Sequence, residues 1–346
     1  MRYAPYLDNI ETSGTSSQTP KPLTNNAFEP CNNKKVYSKS LDEILGDLEE
    51  NKKISVETAV SLIDFGNDLD WKTRGRTMYN CGDSVTYSDG KIVAANFCRQ
   101  RLCPMCQRRK SLKTYSDFCK ILDELSDFSF LHLVLTVPNV KADSLTETLE
   151  QMNKCSSRFF KIKELRESFR GVARFTELTY NAKNEDFHPH FHCLVAVNKS
   201  YFTSRKYLKY EFLRFLWSAV WHFRYDNLKR LSDKKIKLSN LLDSDMLQIF
   251  ITKADKGALP EIAKYAVKPL SFQASRKKRA EILQTIFEAL HGKRLVQTFG
   301  VIKEAAKKAK VRLDDDVVEL DTLENSDTIA YNYNHSLSRY ERIELD

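Results

Sequence analysis

Residues 171–197, GVARFTELTYNAKNEDFHPHFHCLVAV, set the architecture of this chain. The stretch begins and ends with runs that alternate apolar and polar residues, and a short polar segment separates them. This pattern is typical of two strands joined in a hairpin. Helical periodicity precedes it at 108–126 and 142–165 and follows it at 207–225. The order predicts an α+β domain built on an antiparallel sheet with flanking helices.

The composition is that of a folded chain without a membrane segment. The 346 residues are 42% hydrophobic and 29% charged, which supports a full core in one or two domains of roughly 150 residues. No apolar run approaches the ~18 residues that a membrane-spanning helix needs. The N-terminus, MRYAPYLDNIETSG, lacks the apolar region of a secretion signal. We therefore expect a cytoplasmic protein without membrane contact.

Charge is unevenly distributed along the chain. The formal net charge is +9, but residues 81–310 carry 42 basic and 24 acidic side chains, a net charge of +18. The flanks are acidic, with net charges of −2 over residues 1–80 and −7 over residues 311–346. A basic body of this size favours a nucleic-acid-binding protein over the alternative, a solvated lysine-rich surface.

Composition divides the chain into five predicted regions. Residues 1–70 are an N-terminal extension, expected to be largely disordered with short helices because its first part is rich in Ser, Thr, Asn and Pro. The other regions are a cysteine module with a basic helix at 71–126, the main α+β domain at 127–275, a basic helical segment at 276–310 and an acidic tail at 311–346.

Half of the eight cysteines are clustered. Four lie within 26 residues, separated by 16, four and two residues: Cys81, Cys98, Cys103 and Cys106. In a chain without a secretion signal this favours metal over disulfides, and four thiolates complete a tetrahedral structural zinc site. The alternative is a redox CxxC pair, which lacks its usual βαβ context here. Basic residues that would face phosphates surround the last cysteines: Arg99, Arg101, Arg108, Arg109 and Lys110.

Three of the seven histidines fall within five residues on the second strand. Side chains alternate along a strand, so His190 and His192 share one face while Phe191 points into the core. Glu177 lies on the preceding strand, and a hairpin brings it beside them. Two imidazoles and a carboxylate suit a divalent ion and leave positions open for substrate oxygens, as a catalytic site requires. Whether His188 is also a ligand is left open.

A short helix that ends at Pro269 is predicted for residues 261–269, EIAKYAVKP. Glu261 precedes Tyr265 by four residues and Lys268 follows it by three, so the side chains can share one face. Tyrosine is a poor nucleophile at its ordinary pKa of about 10. A nearby lysine and a metal-polarised phosphate make its attack on a phosphodiester feasible. The alternative, for one of fifteen tyrosines, is a packed helix residue.

Together these elements resemble the HUH endonucleases, specifically the single-tyrosine branch of the rolling-circle replication initiators (Rep proteins) of small bacterial plasmids. The resemblance covers about residues 78–270. It consists of four pieces in the expected order: CRQRLCPMCQRRKS at 98–111, the motif-1-like strand FLHLVLTVPNV at 130–140, HPHFHCLVAV at 188–197 and EIAKYAVK at 261–268. It implies a ferredoxin-like antiparallel sheet with the histidines on a central strand. His132 departs from the Thr or Ser that is commoner in motif 1.

The resemblance also implies roles for the site residues. The two histidines and Glu177 would hold a catalytic Mg²⁺ or Mn²⁺ ion. Tyr265 would cut one strand at the origin, giving a 5′-phosphotyrosine link and a free 3′-hydroxyl that primes synthesis. Lys268 would hold the scissile phosphate or balance its charge. Glu261 matches the position where relatives place a carboxylate that activates water for the closing cleavage.

The expected function is therefore a plasmid replication initiator that binds the double-strand origin, nicks one strand and rejoins it at termination. The alternatives are an HUH transposase or relaxase, and a non-catalytic zinc-dependent DNA-binding regulator that binds without cleaving. The expected cofactors are Mg²⁺ or Mn²⁺ at the catalytic site and structural Zn²⁺ at the cysteines. The expected partner is origin DNA with a hairpin or single-stranded nick site; a host helicase and a homodimer are left open.

Overall fold

The structure is a computed structural model that describes residues 40–88, 91–223, 246–254, 274–313 and 328–343. The helices within these ranges are α1 (Leu41–Phe65), α2 (Leu69–Tyr79), α3 (Pro104–Asp123), α4 (Leu145–Phe159), α5 (Lys163–Ser168), α6 (Tyr210–Phe223), α7 (Arg276–Leu290) and α8 (Gly300–Lys308). The strands are β1 (Ser84–Ser88), β2 (Lys91–Ala95), β3 (Phe128–Thr136), β4 (Phe169–Asn181), β5 (Asp186–Asn198), β6 (Ile249–Lys253), β7 (Val296–Phe299), β8 (Ile329–Asn334) and β9 (Arg339–Arg342).

A five-stranded antiparallel sheet forms the centre of the main domain. Its strand order is β6-β3-β5-β4-β7, so the histidine strand β5 is the middle strand. β4 and β5 form the predicted hairpin, with 13 residues in each strand. The side chain of Asn181 accepts hydrogen bonds from the backbone N–H groups of Lys183 and Asn184 and closes the turn. The predicted α+β class with an antiparallel sheet is confirmed.

Helices cover both faces of this sheet. On one face, residues of β3 and β5 such as Leu133 and Phe191 pack with α4, α5 and α6, and Trp217 of α6 is fully buried there. On the other face, α3 and α8 pack against Phe175 and Leu194. Because side chains alternate, His192 shares this second face with Leu194. The metal-ligand candidates therefore lie on the α3 side of the sheet.

A second antiparallel sheet, the module sheet, lies beside the cysteine cluster and has the order β2-β1-β8-β9.

Helix α1 contacts α2, α3 and α7. It is a single 25-residue helix that begins with a capping box, in which Ser40 and Glu43 each accept a backbone N–H of the other. The sequence predicts a largely disordered extension with short helices over residues 1–70, whereas residues 41–65 form this one helix, which its cap and its buried face stabilise; residues 1–39 lie outside the described residues.

The C-terminal end of the chain belongs to the module sheet. The sequence places residues 311–346 in an acidic tail, whereas β8 and β9, within residues 328–343, pair with each other and with β1. Tyr331, Tyr333 and Tyr340 are each only 7% exposed and pack with Val85. The burial of these aromatic rings is the physical reason for the difference. In the part of the chain that the structure describes, no helix is long and apolar enough to cross a membrane.

Candidate functional site

The structure brings the predicted histidine and glutamate side chains together. In the β4–β5 ladder Glu177 is directly opposite His190, and His192 is one pair further along the same face. Glu177 Oε2 lies 2.7 Å from His192 Nε2 and 3.3 Å from His190 Nε2. All three side chains are buried, and Glu177 is 1% exposed. One carboxylate oxygen thus meets two imidazole nitrogens, and we call these residues the triad.

The geometry of the triad fits a divalent ion. Two ligand atoms at right angles around an octahedral ion, each about 2.1 Å from it, are about 3.0 Å apart. The two observed separations, 2.7 and 3.3 Å, lie on either side of that value. Burial by itself raises the pKa of the Glu177 carboxyl, but the hydrogen bonds and charges of His190 and His192 outweigh it and hold the pKa below its usual range. The carboxylate is therefore ionised and ready to bind a cation.

A hydrogen bond behind His190 orients it toward Glu177. Its Nδ1 lies 3.1 Å from the His188 carbonyl oxygen, which can only accept, so Nδ1 donates and Nε2 is the nitrogen that a cation would bind in place of a proton. His188 itself is outside the triad, because its own Nδ1 lies 2.8 Å from Asn139 Oδ1. Burial and the charge of His190 lower the pKa of His188 to about 4. His188 therefore acts through its backbone rather than as a third imidazole of the triad.

His132 is a site residue that the sequence did not assign. It lies on β3 at the same face, with its Nε2 2.9 Å from His192 Nδ1. From the sequence it is only a departure from the usual motif 1. The signal was present, because a histidine within the apolar run LHLVL must have a buried polar partner. The strand register was needed to identify that partner.

The four clustered cysteines also come together. Their sulfur atoms lie within 4.8 Å of one another, with Cys106 Sγ 3.7 Å from both Cys81 Sγ and Cys98 Sγ. A tetrahedral ion with bonds of about 2.3 Å places its sulfur ligands about 3.8 Å apart. A disulfide would require about 2.05 Å, and these cysteines are free thiols. The cluster therefore has the shape of a four-thiolate metal site.

The thiols of the cluster shift one another's pKa values. Hydrogen bonds from neighbouring thiols raise the pKa values of Cys81 and Cys98. Burial would also raise the pKa of Cys103, but hydrogen bonds from the other three thiols outweigh it and lower that pKa. The lowered pKa favours a thiolate at Cys103 that accepts hydrogen bonds from the other three thiols. Metal binding releases thiol protons, so a bound cation would take the place of these protons.

Buried groups outside the cluster hold the loop that carries Cys81. The Lys52 side chain, 0% exposed on α1, places its Nζ 2.5 Å from the Tyr79 carbonyl, 2.9 Å from the Cys81 carbonyl and 2.6 Å from Asp83 Oδ1. Gly82 follows at φ +73, a left-handed conformation that glycine adopts easily, and its carbonyl accepts from the Tyr340 hydroxyl at 2.6 Å. Helix α1 and strand β9 thus both brace the cysteine module.

The basic residues around the cysteines have different surroundings. Arg99 is exposed, and Arg109 stacks on the Phe97 ring at 3.8 Å. Arg108 pairs with Asp47 at 3.1 Å. The other two, Arg101 and Lys110, line a cleft of about 200 Å³ between the start of α3 and the segment that joins α7 to β7. Nucleic-acid contact by these five residues stays a prediction.

The cleft is cationic and lies one strand from the triad. Its remaining polar side chains are those of Lys293 and Arg294. Val296, at its base, pairs with Phe175 of β4, which is two residues from Glu177. The cleft therefore links the cysteine module to the edge of the sheet beside the triad. Arg101 also donates to the Leu290 carbonyl at 2.7 Å and fixes this junction.

The predicted tyrosine helix, with Glu261, Tyr265 and Lys268, lies outside the described residues.

The chain is similar to known replication proteins. Residues 89–341 match the family model described as Replication protein. A Protein rep of Streptococcus pneumoniae serotype 2 is 28% identical over 285 residues, which cover 78% of this chain and 80% of that protein. A Protein rep of a Bacillus species is 30% identical over 240 residues, 66% of this chain and 77% of that protein. A Protein rep of Staphylococcus aureus is 38% identical over 144 residues, 41% and 63% respectively.

No solved structure matches the chain. The family match includes both strands of the triad, the CxxC knuckle and the predicted tyrosine helix. With its antiparallel sheet and central histidine strand, this chain belongs to the Rep family of replication proteins, as its resemblance to the plasmid rolling-circle initiators predicts.

Proposed function

We propose that this plasmid replication initiator starts rolling-circle synthesis by nicking one strand of the origin at the triad, with Tyr265 as the nucleophile. The observation that carries the proposal is the buried contact of one glutamate oxygen with two imidazole nitrogens on the central strands. Family membership supports it, since the family model spans both the triad and Tyr265. A DNA-binding protein without catalysis does not need an ionised carboxylate buried between two histidines, whereas a metal-dependent nicking enzyme does.

In the nicking step the Tyr265 oxygen attacks the phosphorus and loses its proton to solvent or to a neighbouring base. The bond from phosphorus to the 3′-oxygen breaks, and that oxygen takes up a proton and leaves as the 3′-hydroxyl that primes synthesis. Glu177, His190 and His192 would hold the Mg²⁺ or Mn²⁺ ion, which would supply Lewis-acid polarisation of a phosphoryl oxygen when bound. Lys268 balances the charge of the scissile phosphate, and the triad side chains set where the ion would meet that phosphate.

Termination requires a second cleavage, because the sequence offers a single tyrosine in this motif. Glu261 accepts a proton from a water molecule, and the resulting hydroxide attacks the phosphodiester of the regenerated nick site. The bond from phosphorus to the 3′-oxygen breaks, a 5′-phosphate remains, and the 3′-oxygen takes the proton from Glu261. The released 3′-hydroxyl then attacks the phosphotyrosine, the bond from phosphorus to the tyrosine oxygen breaks, the tyrosine oxygen takes up the hydroxyl proton, and the circle closes. This assignment rests on the resemblance and on the position of Glu261 four residues before Tyr265 in the sequence.

DNA binding is assigned to the basic body of the chain and to the cationic cleft. The segment 81–310 has a net charge of +18, which favours release of counterions from a DNA backbone. The cleft brings four basic side chains next to β4, so that a strand bound there continues toward the triad. Zn²⁺ held by the four cysteines would make the module rigid, and with it the Arg101 and Lys110 side of the cleft.

The test uses a supercoiled plasmid that carries the cognate origin, with added Mn²⁺ or Mg²⁺. The wild-type protein should give a nicked circle with covalently attached protein. Tyr265→Phe should bind DNA but give no adduct, and His190→Ala should lose cleavage at equal DNA occupancy. The matched control is Tyr207→Phe, a substitution at a half-exposed tyrosine, which should nick normally. An adduct formed by Tyr265→Phe, or origin binding without any cleavage by the wild type, contradicts the proposal.

A further inference from the structure

The second candidate ligand, His192, has an imidazole as its partner. His132 is opposite Leu194 in the β3–β5 ladder and so lies diagonal to His192 on the same face. The two ring centroids are 5.2 Å apart with planes at 17°, and His132 Nε2 lies 2.9 Å from His192 Nδ1. Both side chains are less than 10% exposed. The contact is a hydrogen bond between two ring nitrogens, shielded from water.

The partner of each ligand decides where its proton lies. A carbonyl oxygen can only accept, so the His188 carbonyl fixes the proton of His190 on Nδ1. The partner of His192 imposes no such constraint, because a neutral imidazole can donate or accept. His192 Nε2 faces Glu177 and can bind a cation only when the proton of His192 is on Nδ1. In that state His132 Nε2 must present its lone pair.

We propose that His132 is a positioning residue that accepts this hydrogen bond, fixes His192 in the tautomer that binds metal and thereby sets the divalent-ion affinity of the triad. The inference rests on the metal site of the proposed function. Metal-bound histidines usually donate their second N–H to a carboxylate, a carbonyl or a water. An imidazole in this place orients the ligand without adding a charge to a site that already contains Glu177.

The surroundings of His132 keep its ring at this position. Phe250 of β6 lies edge-on to it, with centroids 6.2 Å apart and planes at 75°. On the opposite face of β3, the neighbouring Leu131 and Leu133 are buried in the α4–α6 core. His132 is itself 6% exposed. His132 thus has Phe250 and His192 as ring neighbours on a strand that Leu131 and Leu133 anchor, and this restrains the His192 ring as well, which is the preorganisation that a metal site requires.

The test is Mn²⁺ binding to the full zinc-loaded chain without DNA, followed by the electron paramagnetic resonance signal of free Mn²⁺. His132→Phe keeps a buried ring but has no acceptor, and its Mn²⁺ affinity should fall by about 10–100-fold. His132→Gln offers a side-chain oxygen and should restore most of the loss. Leu131→Ala is the control, since it perturbs the same strand on the other face and should leave Mn²⁺ affinity unchanged.

Thermal unfolding without Mn²⁺ reports whether each variant is folded, and if His132→Phe does not fold, His132→Leu takes its place. Nicking by the folded variant should recover as Mn²⁺ is raised, because the defect lies in occupancy. The inference is overturned if the wild type and the variant without an acceptor bind Mn²⁺ with equal affinity. It is also overturned if His132→Gln binds Mn²⁺ as weakly as the variant without an acceptor. If His190→Ala leaves Mn²⁺ affinity unchanged, the triad is not the metal site, and the metal site of the proposed function fails with the inference.

Discussion

Replacing Lys52 by methionine should weaken the whole cysteine module. Methionine keeps the apolar length of the side chain, so the change removes chiefly the ammonium group. Lys52 is 0% exposed, and its Nζ contacts the Tyr79 and Cys81 carbonyls and Asp83 Oδ1. The substitution leaves the buried Cys81 carbonyl and the half-buried Tyr79 carbonyl without this donor, and Asp83 without its lysine partner.

The magnitude follows from these contacts. A buried polar group that loses its partner costs about 1–3 kcal/mol, and removal of one member of a buried ion pair costs about 3–5 kcal/mol. Asp83 is 29% exposed and keeps a contact with His335 at 3.0 Å, so losing its lysine partner costs less free energy than in a fully buried pair. We expect a loss of about 3 kcal/mol, toward the lower end of these ranges. If the cysteine cluster binds zinc as proposed, that loss lowers its zinc affinity by about 100-fold, because 1.4 kcal/mol is a factor of ten.

The assay combines urea unfolding of the zinc-loaded chain with competition for zinc by a chromogenic chelator. The matched control is Lys53→Met, a substitution of the exposed lysine next along the same helix, which should behave as the wild type in both measurements. Lys52→Met should unfold at lower urea and release zinc to less chelator. If the two variants are indistinguishable, the buried ammonium does not support the cysteine loop and the reasoning is refuted.

Three further predictions concern the cluster, the cleft and the hairpin. Cys106→Ser should lose bound zinc as measured by elemental analysis, whereas Cys119→Ser, at a buried cysteine outside the cluster, should keep it. Full zinc in the first variant would exclude the cluster as the site. Arg294→Gln should reduce the slope of log affinity for origin DNA against log salt by up to about 0.9, whereas Lys307→Gln, at a lysine paired with Glu304, should not. An unchanged slope would remove Arg294 from the interface. Burial lowers the pKa of His188 from 6.5 to about 4, so the folded state binds fewer protons than the unfolded state. This contribution to stability is complete above pH 6.5 and is lost as pH falls toward 4, amounting to at most about 3 kcal/mol. Urea unfolding across this range should show a smaller slope for His188→Asn, and an equal slope would contradict the assignment.

The sequence predicted the hairpin and the face of the triad because both depend on local rules. Alternation placed His190 and His192 on one side, and the short polar turn made Glu177 their cross-strand neighbour. The cysteine cluster could be predicted for a similar reason, since the short spacing of the four cysteines limits how far apart their sulfur atoms can lie. These predictions required no knowledge of which distant segments pair.

The remaining features depend on long-range pairing. β6 and β7 are five and four residues long, too short for a periodic signal, and only their neighbours β3 and β4 define them as strands. The role of His132 required the β3–β5 register. The C-terminal hairpin was hidden by the net acidic charge of residues 311–346, although tyrosines alternate with polar residues along β8. Charge averaged over a segment conceals a strand that buries every second side chain.

The most direct test of the central claim is mass spectrometry of the peptide that carries a trapped oligonucleotide. A single-stranded origin fragment that loses the short segment on the 5′ side of the nick, the segment that ends in the new 3′-hydroxyl, would be incubated with the wild-type chain and Mn²⁺, and the adduct digested and sequenced. The proposal predicts a 5′-phosphate linked to Tyr265, and no adduct when His190 is replaced by alanine. An oligonucleotide attached to another residue, or cleavage at the wild-type rate with no covalent adduct, would contradict it.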